Sequence, residues 1–408
     1  MAVRLSIVAW LVLANWACCF EVNAVLQELN IGERTARVVA NGQERTVPIA
    51  ADVMVLSEGG KALADGLMAD ELQPSCKIIV KVEMRDQRPT IVSIQLGEKK
   101  LENAARAMSV GRSSVGFKPL TEMSAADSYH GELGGLYGRG QNKLPEKLAT
   151  LAAEQSALVQ SLDRSGKPAT DGTIGLISIS MSNATQEFSK FKEIADADDE
   201  KSPRVSIVDC AQGGQTMARW ADEGAACWQE ALRRLADAKV SPLQVQVVWL
   251  KLANAQPSGE LQTHGRQLER DTQRVIGHLA ERFPNLRVIY LGSRIYGGYA
   301  DGNLNPEPFA YEGAFVVRWL IDSQLTETAH WLTEMRSDGA GLPVLLWGPY
   351  FWADGLTPRE SDELIWRRED FVNDGTHPSQ SGRLKVAKML LAFFKTDELA
   401  RRWFVRHP

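Results

Sequence analysis

The residues able to do chemistry are few and far apart in this chain. Near the C-terminus, Asp374-Gly-Thr-His377 sets a carboxylate three residues before an imidazole, a spacing at which the acid can orient the ring as a general base. A base of this kind needs a nucleophile, and Ser182, in Ile179-Ser-Met-Ser182-Asn183, closes an apolar strand-like run far upstream. Gly213-Gly214 and Asn254 lie between them and offer backbone and amide N–H groups to a developing oxyanion. Each has a plainer reading when taken singly. Ser182 would cap a helix over 184–188, His377 would be a satisfied core or surface histidine, and Gly214 would be a turn glycine.

Positioning such residues requires a rigid frame, and the chain beyond residue 170 supplies the pattern of one. Short apolar runs at 174–180, 205–208, 245–250, 286–291 and 344–347 predict strands, and helical periodicity marks 218–238, 261–283, 314–335 and 382–394. Strands alternating with helices predict a parallel sheet of five strands covered on both faces, with function gathered at the carboxyl ends of the strands. The candidates fall there. Ser182 follows the first strand, Gly214 the second and Asn254 the third, and Asp374 and His377 lie between the fifth strand and the last helix.

Over residues 170–397 the chain resembles the SGNH (GDSL-like) hydrolase superfamily. Ser182 in Ser-Met-Ser182-Asn matches the nucleophile of the first block, Gly214 the second-block glycine, Asn254 the third-block asparagine, and Asp374-x-x-His377 the fifth block. The resemblance implies a three-layer α/β/α, flavodoxin-like domain. It also implies ester hydrolysis through Ser182, His377 and Asp374 without a cofactor, the oxyanion being held by Ser182, Gly214 and Asn254. The sequence departs from the family where Ser180 and Met181 replace Gly-Asp. It departs again where Leu252-Ala-Asn254-Ala255 replaces Gly-x-Asn-Asp, which leaves Lys251 competing with Asn254 as donor. The expected substrate is a small-molecule or carbohydrate ester, an acetyl ester among them. Two alternatives stay open: an inactive carbohydrate-binding or cell-surface protein of the same fold, and an acyltransferase with the same triad. Arg294 could meet a carboxylate or sulfate, and Tyr296, Tyr350 and Trp352 could stack on sugar rings or simply pack the loops.

The remainder of the chain divides by composition. Residues 1–24 read as an export leader, with Arg4, an apolar stretch over 5–13 and small residues before a cleavage after Ala24, so a secreted or periplasmic location without an integral span is expected. Residues 25–98 alternate in short apolar strands and predict a small antiparallel β-barrel or sandwich, and 99–170 form a Gly-rich and helical connector before the 171–400 domain. Of five cysteines, Cys76, Cys210 and Cys227 survive leader removal, and Cys210–Cys227 is the pairing expected across the Gly214 loop, leaving Cys76 free. A net charge of −5 without a basic stripe argues against nucleic acid. The six histidines show no zinc spacing, so no metal is expected; His264, His278 and His330 fall on helical patterns as exposed residues. Nothing in the sequence bears on the oligomeric state.

Overall fold

The computed structural model describes residues 20–40, 43–57, 59–74, 76–85, 88–96, 113–325 and 343–406. Residues 1–19 of the leader expected over 1–24, His330 and the end of the helix expected over 314–335 lie outside the described residues. The chain forms two compact units, 1–105 and 106–408.

In the first unit, β1 (Phe20–Asn30), β2 (Thr35–Ala40), β3 (Gln43–Leu56), β4 (Lys77–Arg85) and β5 (Arg88–Leu96) close a barrel in the order β1-β2-β3-β5-β4. Where short strands were expected, β3 is one long strand of 14 residues. Its first part pairs antiparallel with β2, its register then shifts between Ile49 and Met54, and its end pairs parallel with β5. The barrel is therefore closed by a parallel pair, where an all-antiparallel sheet was expected. Alternate residues of β4, Ile78, Val80 and Val82, fill its interior as a period of two requires, together with Leu26, Ile91 and Ile94. Ala24 is also buried there and pairs with Ile78, so the expected cleavage junction falls inside β1.

The second unit begins with a strap over 113–145, which carries the short pair β6 (Ser128–Tyr129) and β7 (Glu132–Leu133) and leads into α1 (Glu146–Ala157). Two of its glycines serve close passage. Gly135 and Gly140 both take positive φ, and a Cβ on either would run into backbone, of Gln141 and of Ser124–Ala125 respectively. Asp354 fixes the start of the strap by accepting from the amides of Val115 and Gly116, and the Tyr350 hydroxyl accepts from Leu120 N–H.

Then come β8 (Ile174–Ile179), α2 (Ser182–Asp196), β9 (Val205–Asp209), α3 (Met217–Trp220), α4 (Ala226–Asp237), β10 (Val245–Lys251), α5 (Leu261–Arg282), β11 (Val288–Gly292), α6 (Phe309–Ser323), β12 (Val344–Trp347) and α7 (Gln380–Thr396). The five strands form one parallel sheet in the order β12-β11-β10-β8-β9. Every residue of β8, β10, β11 and β12 is buried, as expected of a sheet with helices over both faces. α2 packs on α7, whereas α5 packs on α3 and α6. The chain leaves β8 toward β9 and then returns past β8 to β10. With right-handed crossovers this reversal puts the helices on opposite faces and opens a crevice beyond the ends of β8 and β10.

Candidate active site

Ser182 stands at that reversal point, three residues beyond the end of β8, as the first residue of α2. The helix gives it a fixed direction and leaves the first N–H groups without intrahelical partners, with the positive end of the macrodipole behind them. Its hydroxyl does not cap the helix. Ser182 Oγ lies 2.7 Å from His377 Nε2, and His377 Nδ1 lies 2.5 Å from Asp374 Oδ2. Asp374 Oδ1 accepts from the amides of Thr376 (2.8 Å) and His377 (2.9 Å), which folds the intervening residues into a tight turn. Asn183, beside the serine, donates to Thr376 O (2.8 Å) and ties that turn to the start of α2. Ser182 and His377 are both buried. Burial pushes the Asp374 carboxyl up, but the bonds from His377 and the two amides outweigh it and hold it below the usual carboxylate range.

A second set of bonds laces the neighbouring strand ends together. Ser180 Oγ donates to Lys251 O (2.5 Å), Ser180 O accepts from Gln212 N–H, and Ala253 O accepts from Met217 N–H. Gly214 sits between these last two anchors with φ of 74°. Asn254 Oδ1 accepts from Ala218 N–H (2.9 Å) while Nδ2 donates to Asp271 (2.7 Å), so the amide is clamped at both ends to α3 and α5. Ser180 thus serves as a cross-tie between the ends of β8 and β10.

Several expected contacts fall elsewhere. Lys251 is fully buried and its Nζ binds both oxygens of the equally buried Glu187, at 2.7 and 2.5 Å. Burial, opposed by the pull of Glu187 and helped by the Arg294 charge, lowers the ammonium to about 8. Lys251 is therefore the partner of α2 rather than a donor or substrate contact. Tyr296, Tyr350 and Trp352 are also buried. Trp352 packs on Tyr311 and donates to Glu307 Oε1 (2.7 Å), while Tyr350 meets Trp347 edge to face and holds the strap. The rings pack the loops and form no exposed stacking platform.

The expected Cys210–Cys227 disulfide is absent. Both are buried free thiols, Cys210 Sγ faces Ala231 O at 3.7 Å, and the Gln212 side chain bridges the two backbone carbonyls. Cys76 is free as well. His264, read as exposed, is half-buried, its ring set against Glu312 at 2.5 Å.

Arg294 follows β11 in the loop that runs to the Asp374 turn, where Asp301 N–H donates to Asp374 O (2.9 Å). The side chain is buried, and its Nε has no partner. Burial lowers its pKa, opposed by the charges of Glu187, Asp374 and Glu307. Glu307, in turn, accepts from Gly297 N–H, Tyr311 N–H and Trp352, yet burial raises its carboxyl to about 7. Glu187, Asp271 and Glu307 carried no sequence signal, since each is recognised only by a partner brought in by the fold.

No protein-family model matches the chain, and no curated protein matches it. Solved structures share parts of it. A Bacteroides fragilis protein provisionally named an acylhydrolase is 12% identical over 64% of this chain and 100% of its own, with a TM-score of 0.33. The periplasmic domain of a lipopolysaccharide acetyltransferase from Salmonella ser. Paratyphi A is 13% identical over 60% of this chain and 95% of its own, with a TM-score of 0.29. Apo-CusF from Escherichia coli is 5% identical over 22% of this chain and 100% of its own, with a TM-score of 0.17. TM-scores this low decide nothing about the fold, which rests on the strand order given above. Among the described residues, no helix is long and apolar enough to cross a membrane and no group of His, Cys, Asp and Glu could hold a metal ion.

Proposed function

We propose that the protein is an exported serine ester hydrolase of the SGNH kind, with an acetyl ester of a carbohydrate as the substrate class to try first. One observation carries the reading: Ser182 Oγ, His377 Nε2, His377 Nδ1 and Asp374 Oδ2 form an unbroken row of short hydrogen bonds. In the proposed reaction Oγ attacks the ester carbonyl carbon while Nε2 takes its proton. Asp374 holds the other ring nitrogen as an N–H donor and stabilises the imidazolium that forms. The carbonyl oxygen becomes negative and is met by the N–H of Ser182 at the start of α2, with Gly214 N–H and the Asn254 amide as further donors. Collapse of the intermediate breaks the ester C–O bond, and Nε2 returns its proton to the leaving alcohol. Water then repeats the sequence on the acyl-serine and releases the acid.

Export is supported by Arg4 and the apolar 5–13 stretch. Since the Phe20–Ala24 part of β1 belongs to the barrel, removal of the leader before Phe20 keeps that strand whole. The experiment for the hydrolytic reading is labelling of the purified protein with a fluorophosphonate, followed by peptide mapping. A single adduct on the peptide carrying Ser182 is expected; adducts elsewhere, or none, would contradict it.

A further inference from the structure

We infer that Arg294 is an anion-recognition residue, so that the ester this site accepts also carries an anionic oxygen group, a carboxylate or a sulfate. The inference rests on the hydrolase reading for its place in catalysis, and the binding claim is testable without turnover.

What is unmatched at Arg294 is its donors: the carboxylates of Glu187, Asp374 and Glu307 act on it through their charge, but none bonds to it. Lys251, the other buried cation at these strand ends, is neutralised by direct contact with both oxygens of Glu187. Asp374 is matched by the His377 ring and two amides. Glu307 spends its oxygens on two amides and an indole. Arg294 has only 3% of its surface exposed, and no hydrogen bond or ion pair holds its guanidinium among the described residues. Guanidinium groups present a planar fork of donors suited to carboxylate and sulfate oxygens, and burying one without a partner costs the folded chain free energy. Such a group is retained at that cost when a ligand completes it. Its position fits the role, because it heads the loop that bonds directly to the Asp374 turn. Packing alone would be served as well by Met.

The test compares the full chain with Arg294→Met and Arg294→Lys. Thermal unfolding is followed at constant ionic strength with sodium acetate, sodium sulfate and neutral acetamide. In parallel, kcat/KM is measured for the p-nitrophenyl monoester of glutaric acid and for neutral p-nitrophenyl butyrate. Without added anion, Arg294→Met should unfold at a higher temperature than the wild type. Acetate or sulfate should raise the unfolding temperature of the wild type and not of Arg294→Met, and whichever acts more strongly identifies the group. The preference for the anionic ester should drop about ten- to hundredfold in Arg294→Met, the range of a charged hydrogen bond, and recover in part in Arg294→Lys. Equal anion effects on wild type and Arg294→Met would overturn the proposal, as would a lower unfolding temperature with unchanged ester selectivity. If neither ester is turned over while the anion effect stays specific to Arg294, the binding site stands and the hydrolase reading fails.

Discussion

The two units solve the problem of charge in opposite ways. In the barrel the interior is apolar, Thr90 and Ser93 being its buried polar residues, and the charges stay at the surface, as in Arg37 between Glu28 and Glu44. In the α/β unit Glu187, Lys251, Arg294, Asp370 and His377 are all buried. Charge in water costs little and does little; charge taken from water must be matched by a partner and acts strongly on whatever lies beside it. The difference marks the strand ends of the α/β unit as the place for chemistry and the barrel as a body held by apolar burial.

The largest effect should come from breaking a matched charge next to the nucleophile. Asp374→Asn leaves room for the same turn but removes the acceptor that orients His377, and kcat should fall by roughly 10⁴. Asp374 is held below its ordinary value of 3.8 in the fold, so its stabilising contribution is present above pH 3.8 and is lost as pH falls through its folded value. It therefore stays ionised across neutral pH, and kcat/KM should not fall through protonation of the Asp374 carboxyl at any pH above 3.8; a loss traced to that carboxyl above pH 3.8 would contradict the assignment.

Next in size is the buried pair under α2. Lys251→Met should destabilise the protein by about 3–5 kcal/mol by stranding Glu187, and the double variant Glu187→Leu with Lys251→Met should recover most of that loss. Chemical denaturation decides this. If Lys251→Met kept full stability and lost only kcat, the lysine would be a catalytic donor after all. Asn254→Ala should lower kcat by roughly 10²–10³ with little change in KM if the amide meets the oxyanion. Its clamp between Ala218 and Asp271 offers the rival outcome, a loss of stability with kcat retained.

The apolar strand runs were legible because burial on both faces leaves few polar residues, such as Ser178 and Gln246, to break them, and the 344–347 strand has the bounds its sequence suggests. The row at the site could be picked out because Asp374 and His377 are near neighbours and Ser182 ends a strand. What was hidden depends on distance or on mixed patterns. Glu187 and Lys251 are 64 residues apart, and neither signals the other. α2 buries Ser182, Asn183 and Glu187 beside its apolar residues, so its buried stripe is mixed. The helix expected over 218–238 is two helices, because Asp222-Glu-Gly224 interrupts it. β1 was read partly as leader since apolar residues serve either use, and the parallel β3–β5 pairing joins segments whose local pattern fits an antiparallel neighbour equally well.

The smallest effects belong to the barrel and sharpen the contrast. Ile91→Ala should cost about 2–5 kcal/mol in barrel stability, while Arg37→Ala at its half-exposed ion pairs should cost at most about 1 kcal/mol. Neither should alter esterase kcat at 25 °C, and a loss of kcat in either would show that the barrel takes part in the chemistry.

The central claim is that Ser182 is the nucleophile, and the most direct measurement is the turnover of an acetyl ester by Ser182→Ala beside the wild type, each checked for folding by circular dichroism. Activity in the folded variant should fall by several orders of magnitude, as loss of a triad nucleophile does. Wild-type turnover in folded Ser182→Ala would contradict the account.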